Sequence, residues 1–417
     1  MSDLLHRMVE RWWASDFETI PLARVYTPGE QASHDGRLAD FFRALSQEAK
    51  RPPRDEAARQ ATQERLLAAF GTLARSSLDL EEAHLHLFQT PGLSEAAKDF
   101  VQEARRFDPE ISGMDISQAS RNAWVMHSLQ ILMDQPPRVT PAILGYSLLY
   151  PYSDNYLDDP DVPEAAKAAF SQRLVRRLAG PGVSPANERE RFIWDLVAMI
   201  ESEFDPKAYP EVFASLIAIH RAQQRSIDLL RHYGSPYEID VLGISLEKGG
   251  TSVVADGYLV ASGLTPTQEE FLFGLGAYLQ LLDDLQDVQE DRHDGRSTVF
   301  AQTAGRWPLD GLTNRMLSFG LQVIKGIGCF DTPRLAVFKD LMVKSTTLLI
   351  LEAAGQAGSL YSQRYLTDLE RHSPFQFASL RRQRQKLVRQ RSTLTRLLES
   401  MLVDGYVLPE RANPHHT

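Results

Sequence analysis

Cysteine is almost missing from this 417-residue chain. Cys329 is the only one, which excludes an intrachain disulfide and any thiolate metal site assembled within one chain. A reducing compartment is the expected setting. Positive charge is outweighed, with 45 Lys and Arg against 55 Asp and Glu and a formal charge of −10, which argues against binding nucleic acid through global charge. No uninterrupted apolar stretch reaches the length of a membrane span. The opening MSDLLHRMVERWWASDFE lacks the basic, apolar, small-residue order of a secretory signal, so a soluble, cytoplasmic protein is expected. G-x-x-x-x-G-K-[ST], H-E-x-x-H and G-x-S-x-G are all absent, which leaves a P-loop enzyme, a zincin and an α/β-hydrolase without support.

Period-two alternation is also scarce, and helical patterning fills the chain. Gly and Pro cluster at short points such as QTPGLS (90–95), DQPPRVTP (134–141), LAGPGVSP (178–185) and SGLTPTQ (262–268), with helix-length segments between them. Apolar residues three and four apart predict helices over 94–107 and 211–233. Residues 47–66 are so polar that they read as a loop followed by a solvated helix, which suggests an N-terminal helical extension over 1–110 and a main helical domain over 111–417. His84 and His86 stand two apart, which on a helix turns them away from each other and from a shared metal.

Two segments stand out. VTPAILGYSLLYPYS (139–153) carries no charge and runs into Asp154, Asp158 and Asp159; FLFGLGAYLQLL (271–282) carries none and runs into Asp283, Asp284, Asp287, Glu290 and Asp291. A helix apolar all round is buried on every side, so both acid clusters sit where a buried helix emerges. Residues four apart share a face, which pairs Asp154 with Asp158 and makes a ladder of Asp283, Asp287 and Asp291. Close carboxylates repel and are costly to bury uncompensated. With no His or Cys nearby in sequence, they suit a hard cation such as Mg²⁺, which typically takes one or two carboxylates and completes its shell with phosphate and water. Pro151 is expected to kink or shorten the first of these helices. Either cluster alone is ordinary for a solvated helix end; the pairing carries the inference.

The stretch LQLLDDLQDVQEDRHDGR (279–296) resembles the second aspartate-rich motif of class I isoprenoid synthases. Asp283, Asp284 and Asp287 match the D-D-x-x-D of polyprenyl diphosphate synthases; Asp287, Glu290, Asp291 and Gly295-Arg296 match the D-x-x-E-D and G-R of squalene and phytoene synthases. Asp154, Asp158 and Asp159 are similar to the D-x-x-x-D-D of the latter group, and Ser120-Arg121 to its S-R element. Lys248-Gly249-Gly250 is similar to the lysine segment of polyprenyl synthases. The resemblance covers about residues 115–300. A G-G-K-R segment upstream of the first motif is missing, the aromatic glycine element of squalene and phytoene synthases is only echoed at 258–263, and no N-S-E type metal motif is present.

The resemblance implies an all-α isoprenoid synthase bundle around a deep apolar cavity open at one end. Its substrate would be an allylic isoprenyl diphosphate, and its cofactor Mg²⁺, with Mn²⁺ as a substitute. Asp154, Asp158, Asp283 and Asp287 would hold the metal, with Asp159, Asp284 and Asp291 as further ligands or their supports. Lys248, Arg296, Arg121 and Arg225 would bind the diphosphate, although Arg225 in HRAQQR reads first as a surface charge. Tyr146, Tyr150, Phe273 and Tyr278 would line the cavity and face the carbocation, or simply pack the core. Condensation of two prenyl diphosphates, as in squalene/phytoene-like or polyprenyl transferases, is one alternative; a noncatalytic helical scaffold is another. The basic run 381–396 would be a solvated face, or a peripheral contact with an anionic membrane.

Overall fold

In the computed structural model, the described residues are 1–88, 90–180, 182–230 and 238–402, with backbone alone at Tyr150, Leu398, Glu399 and Leu402. All regular structure among them is helical. The N-terminal part comprises α1 (Ser2–Ala14), α2 (Pro28–Lys50), α3 (Glu56–Ser77), α4 (Glu82–Phe88) and α5 (Leu93–Phe107). Next come α6 (Gly113–Leu132), α7 (Pro141–Asp158), α8 (Glu164–Ala179), α9 (Glu188–Glu203) and α10 (Pro210–Ser226). The centre is α11 (Val241–Ala261) and α12 (Pro266–Gln286), followed by α13 (Val288–Asp294), α14 (Val299–Thr303) and α15 (Asp310–Lys325). The chain closes with α16 (Leu335–Gln356), α17 (Gln363–Glu370), α18 (Phe377–Arg389) and α19 (Arg391–Leu402).

The two uncharged segments form α7 and α12, and both start on a Thr-Pro pair. Thr140 accepts a hydrogen bond from the Ile143 N–H at 3.2 Å, and Thr265 with Gln268 forms a reciprocal capping box. The hydroxyl meets a backbone donor that the helix leaves unpaired, and Pro at the first helical position loses no bond there. On α7, Ala142, Ile143, Leu144, Leu148 and Leu149 are buried; on α12, Leu272, Phe273, Ala277, Leu281 and Leu285 are fully buried. At roughly 1.5–3 kcal/mol for each large side chain removed from water, these two rods anchor the core. Contrary to the expectation from Pro151, α7 continues through it to Asp158.

Two other expectations change. The helix predicted over 211–233 is α-helical to Ser226 and tightens into a 3₁₀ turn at Ile227–Leu230; residues 231–233 lie outside the described set. The polar stretch 47–66 is a loop only over 51–55, because α2 runs on to Lys50. α1 packs into the main core: Met8 and Trp12 are buried there, and Trp12 meets Phe319 edge-on at 5.6 Å. By contrast, Leu38, Leu73, Ala74 and Leu80 from α2, α3 and the turn after α3 pack in two smaller clusters.

The central pair, α11 and α12, touches backbone to backbone. A Cβ on Gly249 would stand 2.2 Å from the Gly276 carbonyl oxygen, and one on Gly276 would stand 2.0 Å from that of Gly249. Only glycine fits, because neither backbone can yield without parting the helices. Gly276→Val is expected to cost about 3 kcal/mol or more of unfolding free energy through overpacking. Gly263→Ala, which meets open space, should stay within about 0.5 kcal/mol of wild type. Denaturant midpoints at constant slope measure both.

Candidate functional site

The ends of α7 and α12 meet at one cavity. Enclosing about 260 Å³, it is lined by Tyr146, Leu149, Ser153 and Asp154 of α7 and by Gly276, Leu279, Gln280 and Asp283 of α12. Leu174 and Leu178 of α8, Leu216, Ile219, His220 and Gln223 of α10, Asn122 of α6, and Lys248, Gly249, Ser252 and Val253 of α11 complete the wall. An acidic pocket adjoins it through Lys248, Gln280 and Asp283, which line both spaces. That pocket also gathers Asp158, Asp284, Asp287, Asp291 and Arg296.

The carboxylates differ sharply in environment. Asp154 is 7% exposed and its Oδ2 is buried without a hydrogen-bond partner. Burial pushes its carboxyl up to about 7; Lys248 opposes the rise and Asp158 adds to it. Asp284 is likewise pushed up to about 7 by burial, although Gln280 Nε2 donates to its Oδ1 at 2.9 Å, and its Oδ2 has no partner. Asp291 rises to about 6 through burial, against the pull of Arg296. Asp287 is also raised, by burial and then by Asp283, while Arg384, Arg121 and Arg296 hold it down. Of these three only Arg296 lines the acidic pocket; Arg121 lines a separate groove with Phe100 and Trp124.

The expected ladder is bent, not continuous. Asp287 ends α12 at φ −95° and ψ 7°, yet its N–H still donates to the Asp283 carbonyl at 2.9 Å and Asp291 N–H to the Asp287 carbonyl at 2.8 Å. Asp159 leaves the group: it caps the end of α7, and its Oδ1 accepts from the Asp161 N–H at 2.9 Å. Glu290 is exposed and lines neither space. Arg225 is ion-paired with Glu247 and also lines neither.

Of the four expected aromatics, Tyr146 lines the cavity, and the Tyr150 side chain lies outside the described residues. Phe273 and Tyr278 are core instead. Phe273 packs on Gly250 of α11, and Tyr278 packs on Gly320 of α15 and edge-on to Phe319 at 6.4 Å. An all-apolar helix is buried on several faces, and only the Gly276–Gln280–Asp283 face of α12 meets the cavity. His84 and His86 point to separate partners, Asp340 at 2.9 Å and Glu82 at 3.6 Å.

Sequence reading missed His220 and Gln223 as wall residues, Gln280 as a carboxylate partner, and Arg384. Arg384 comes from the basic run 381–396. There Arg381 donates to the Gly355 carbonyl at 2.7 Å and Arg384 lies 3.5 Å from Glu352, so part of that run faces the protein. No helix among the described residues is long and apolar enough to cross a membrane.

The donor set fits a hard cation: oxygen ligands only, with two buried carboxylate oxygens lacking any partner. No group of three or more His, Cys, Asp or Glu among the described residues is already arranged to hold a metal ion. The chain matches no protein-family model and no curated protein.

The Asp154 carboxyl titrates near 3.8 when unfolded and near 7 when folded, so between those values the folded state holds a proton that the unfolded state has lost. Stability therefore falls as pH rises from about 4 to about 7 and is flat above that, as far as this group is concerned. Calorimetry in metal-free buffer should give a Tm slope over that window that is visibly shallower in Asp154→Asn. An unchanged slope contradicts the burial of this carboxyl.

Proposed function

We propose that this protein is a Mg²⁺-dependent class I terpenoid synthase that ionises one allylic isoprenyl diphosphate and releases diphosphate. The observation that carries the reading is the shared cavity of Asp154 and Asp283, with Lys248 in its wall. An acidic, cation-lined mouth opens onto an apolar interior, which is the division of labour an amphiphilic diphosphate ester demands.

Asp154, Asp158, Asp283, Asp287 and Asp291 are the residues that would hold Mg²⁺, and when bound it would neutralise the charge that builds on the departing diphosphate. Lys248 and Arg296 line the acidic pocket and serve as donors to phosphate oxygens, a task for which the guanidinium fork is well shaped. Arg121 and Arg384 add positive potential beside Asp287. Gln280 orients Asp284. Leu149, Leu174, Leu178, Leu216, Leu279 and Val253 exclude bulk water from the hydrocarbon, and Tyr146 offers its ring to a positive centre. No protein nucleophile is required.

The cavity encloses about 260 Å³ and the acidic pocket beside it about 150 Å³; the product, one rearranged chain or a doubled one, separates this reading from a squalene/phytoene-like condensation. The test is incubation of the protein with Mg²⁺ and C10 to C20 allylic diphosphates, following diphosphate release and organic products. Wild type should release diphosphate only with a divalent cation. Asp283→Ala and Asp154→Ala should each lower release by about 10³-fold or more, the loss of roughly 4 kcal/mol of transition-state stabilisation, with helical circular dichroism retained. Silence across all chain lengths leaves a helical scaffold as the answer.

A further inference from the structure

The cavity wall is not apolar throughout. The inward face of α10 carries His220 and Gln223 beside Leu216 and Ile219, at 7% and 4% exposure. His220 Nε2 and Gln223 Nε2 are both buried without a hydrogen-bond partner. A neutral imidazole carries its hydrogen on one ring nitrogen; with it on Nδ1, the unpartnered Nε2 offers its lone pair to the cavity. Burial, with Arg221 adding to it, pushes His220 down to about 4, so the ring is neutral.

A side-chain amide donor and an imidazole acceptor thus stand one turn apart on one helix face, where Cβ atoms lie about 5–6 Å apart. A water molecule accepts from one such group and donates to the other. Ser226, on the same helix, lines the acidic pocket. At ~1.5 Å per residue the pair therefore lies roughly 4–9 Å further in, beside hydrocarbon and not beside diphosphate.

We infer that His220 and Gln223 form a water subsite in the cavity wall, which makes the product a prenyl alcohol. This rests on the ionisation proposed above. Water, held by the Gln223 Nε2–H, gives an oxygen lone pair to the empty orbital of the allylic cation and forms the C–O bond. One O–H bond breaks, its electron pair stays on oxygen, and the proton passes to His220 Nε2. Neutral alcohol and imidazolium result, so positive charge has moved from carbon to ring and no oxidant or reductant is consumed. The weak basicity of this ring suffices, because the water joined to carbon is an oxonium, a far stronger acid than an imidazolium.

The test runs wild type, His220→Phe and Gln223→Leu with Mg²⁺ and C10 to C20 allylic diphosphates in ¹⁸O-water, with Asp283→Ala as the background. The quantity read is labelled alcohol formed per diphosphate released, which normalises for turnover. Wild type should give labelled alcohol, and the ratio should fall about tenfold or more in each variant, the cost of one lost hydrogen bond to the reacting water, with olefin rising in its place. Gln223→Leu decides the matter alone if His220→Phe does not fold. An unchanged ratio in folded variants, as a merely structural role would leave it, overturns the inference. Release from wild type with olefin only overturns it while the ionising reaction stands; no release from wild type overturns both.

Discussion

Everything at this site depends on carboxylates held out of water without a partner. Removing an ionised oxygen from water costs several kcal/mol unless a charge or donor replaces the solvent, and Asp154 and Asp284 each keep one oxygen unmatched. Near neutrality the protein meets this cost by binding protons, which is why both groups rise to about 7. On the function proposed here those protons would be exchanged for cations, since metal binding to carboxylates releases them. What keeps the acids in place is the burial of α7 and α12 behind them. Neither rod has another charged residue over its buried length, so neither can slide or rotate to hydrate its end without exposing large apolar side chains.

Much of this was legible in the chain itself. The absence of charge over 139–153 and 271–282 marked the two buried rods, and the acids that follow each marked the mouth. Lys248 and Arg296 were singled out by the resemblance to synthase motifs, and both line the acidic pocket. The aromatics were not separable by the same logic. A uniformly apolar helix carries no record of which face meets a neighbour and which meets a cavity, so Phe273 and Tyr278 could not be told from Tyr146. Pro151 does not end α7 for a local reason: Leu149, Pro151 itself and Ser153 are buried in the bundle, and that packing holds the helix together through the proline.

The run HRAQQR shows a different failure. By charge density it reads as a solvated surface, and Arg221 and Arg225 are indeed exposed. Yet Val212, Leu216, Ile219, His220 and Gln223 recur at four, seven, eight and eleven residues from the first, the buried stripe of an amphipathic helix. Two polar residues on such a stripe are the informative event. They could have been singled out from sequence had the periodicity been followed past the last apolar residue. Arg384 carried no comparable signal, because its approach to Asp287 depends on how α18 packs more than ninety residues later in the chain.

The glycine contact at the centre ties stability to chemistry. Gly249 and Gly276 are both the point where α11 and α12 touch and part of the cavity wall. Lys248 immediately precedes one of them, and Asp283 stands two turns beyond the other, so the spacing of the two backbones sets how closely the mouth brings positive and negative groups together. Any side chain at the contact would push the helices apart and intrude into the cavity in the same motion, changing charge spacing and hydrocarbon volume at once. Cavity width and fold stability at this seam are therefore one property, fixed by a backbone contact that no rotamer change can relax.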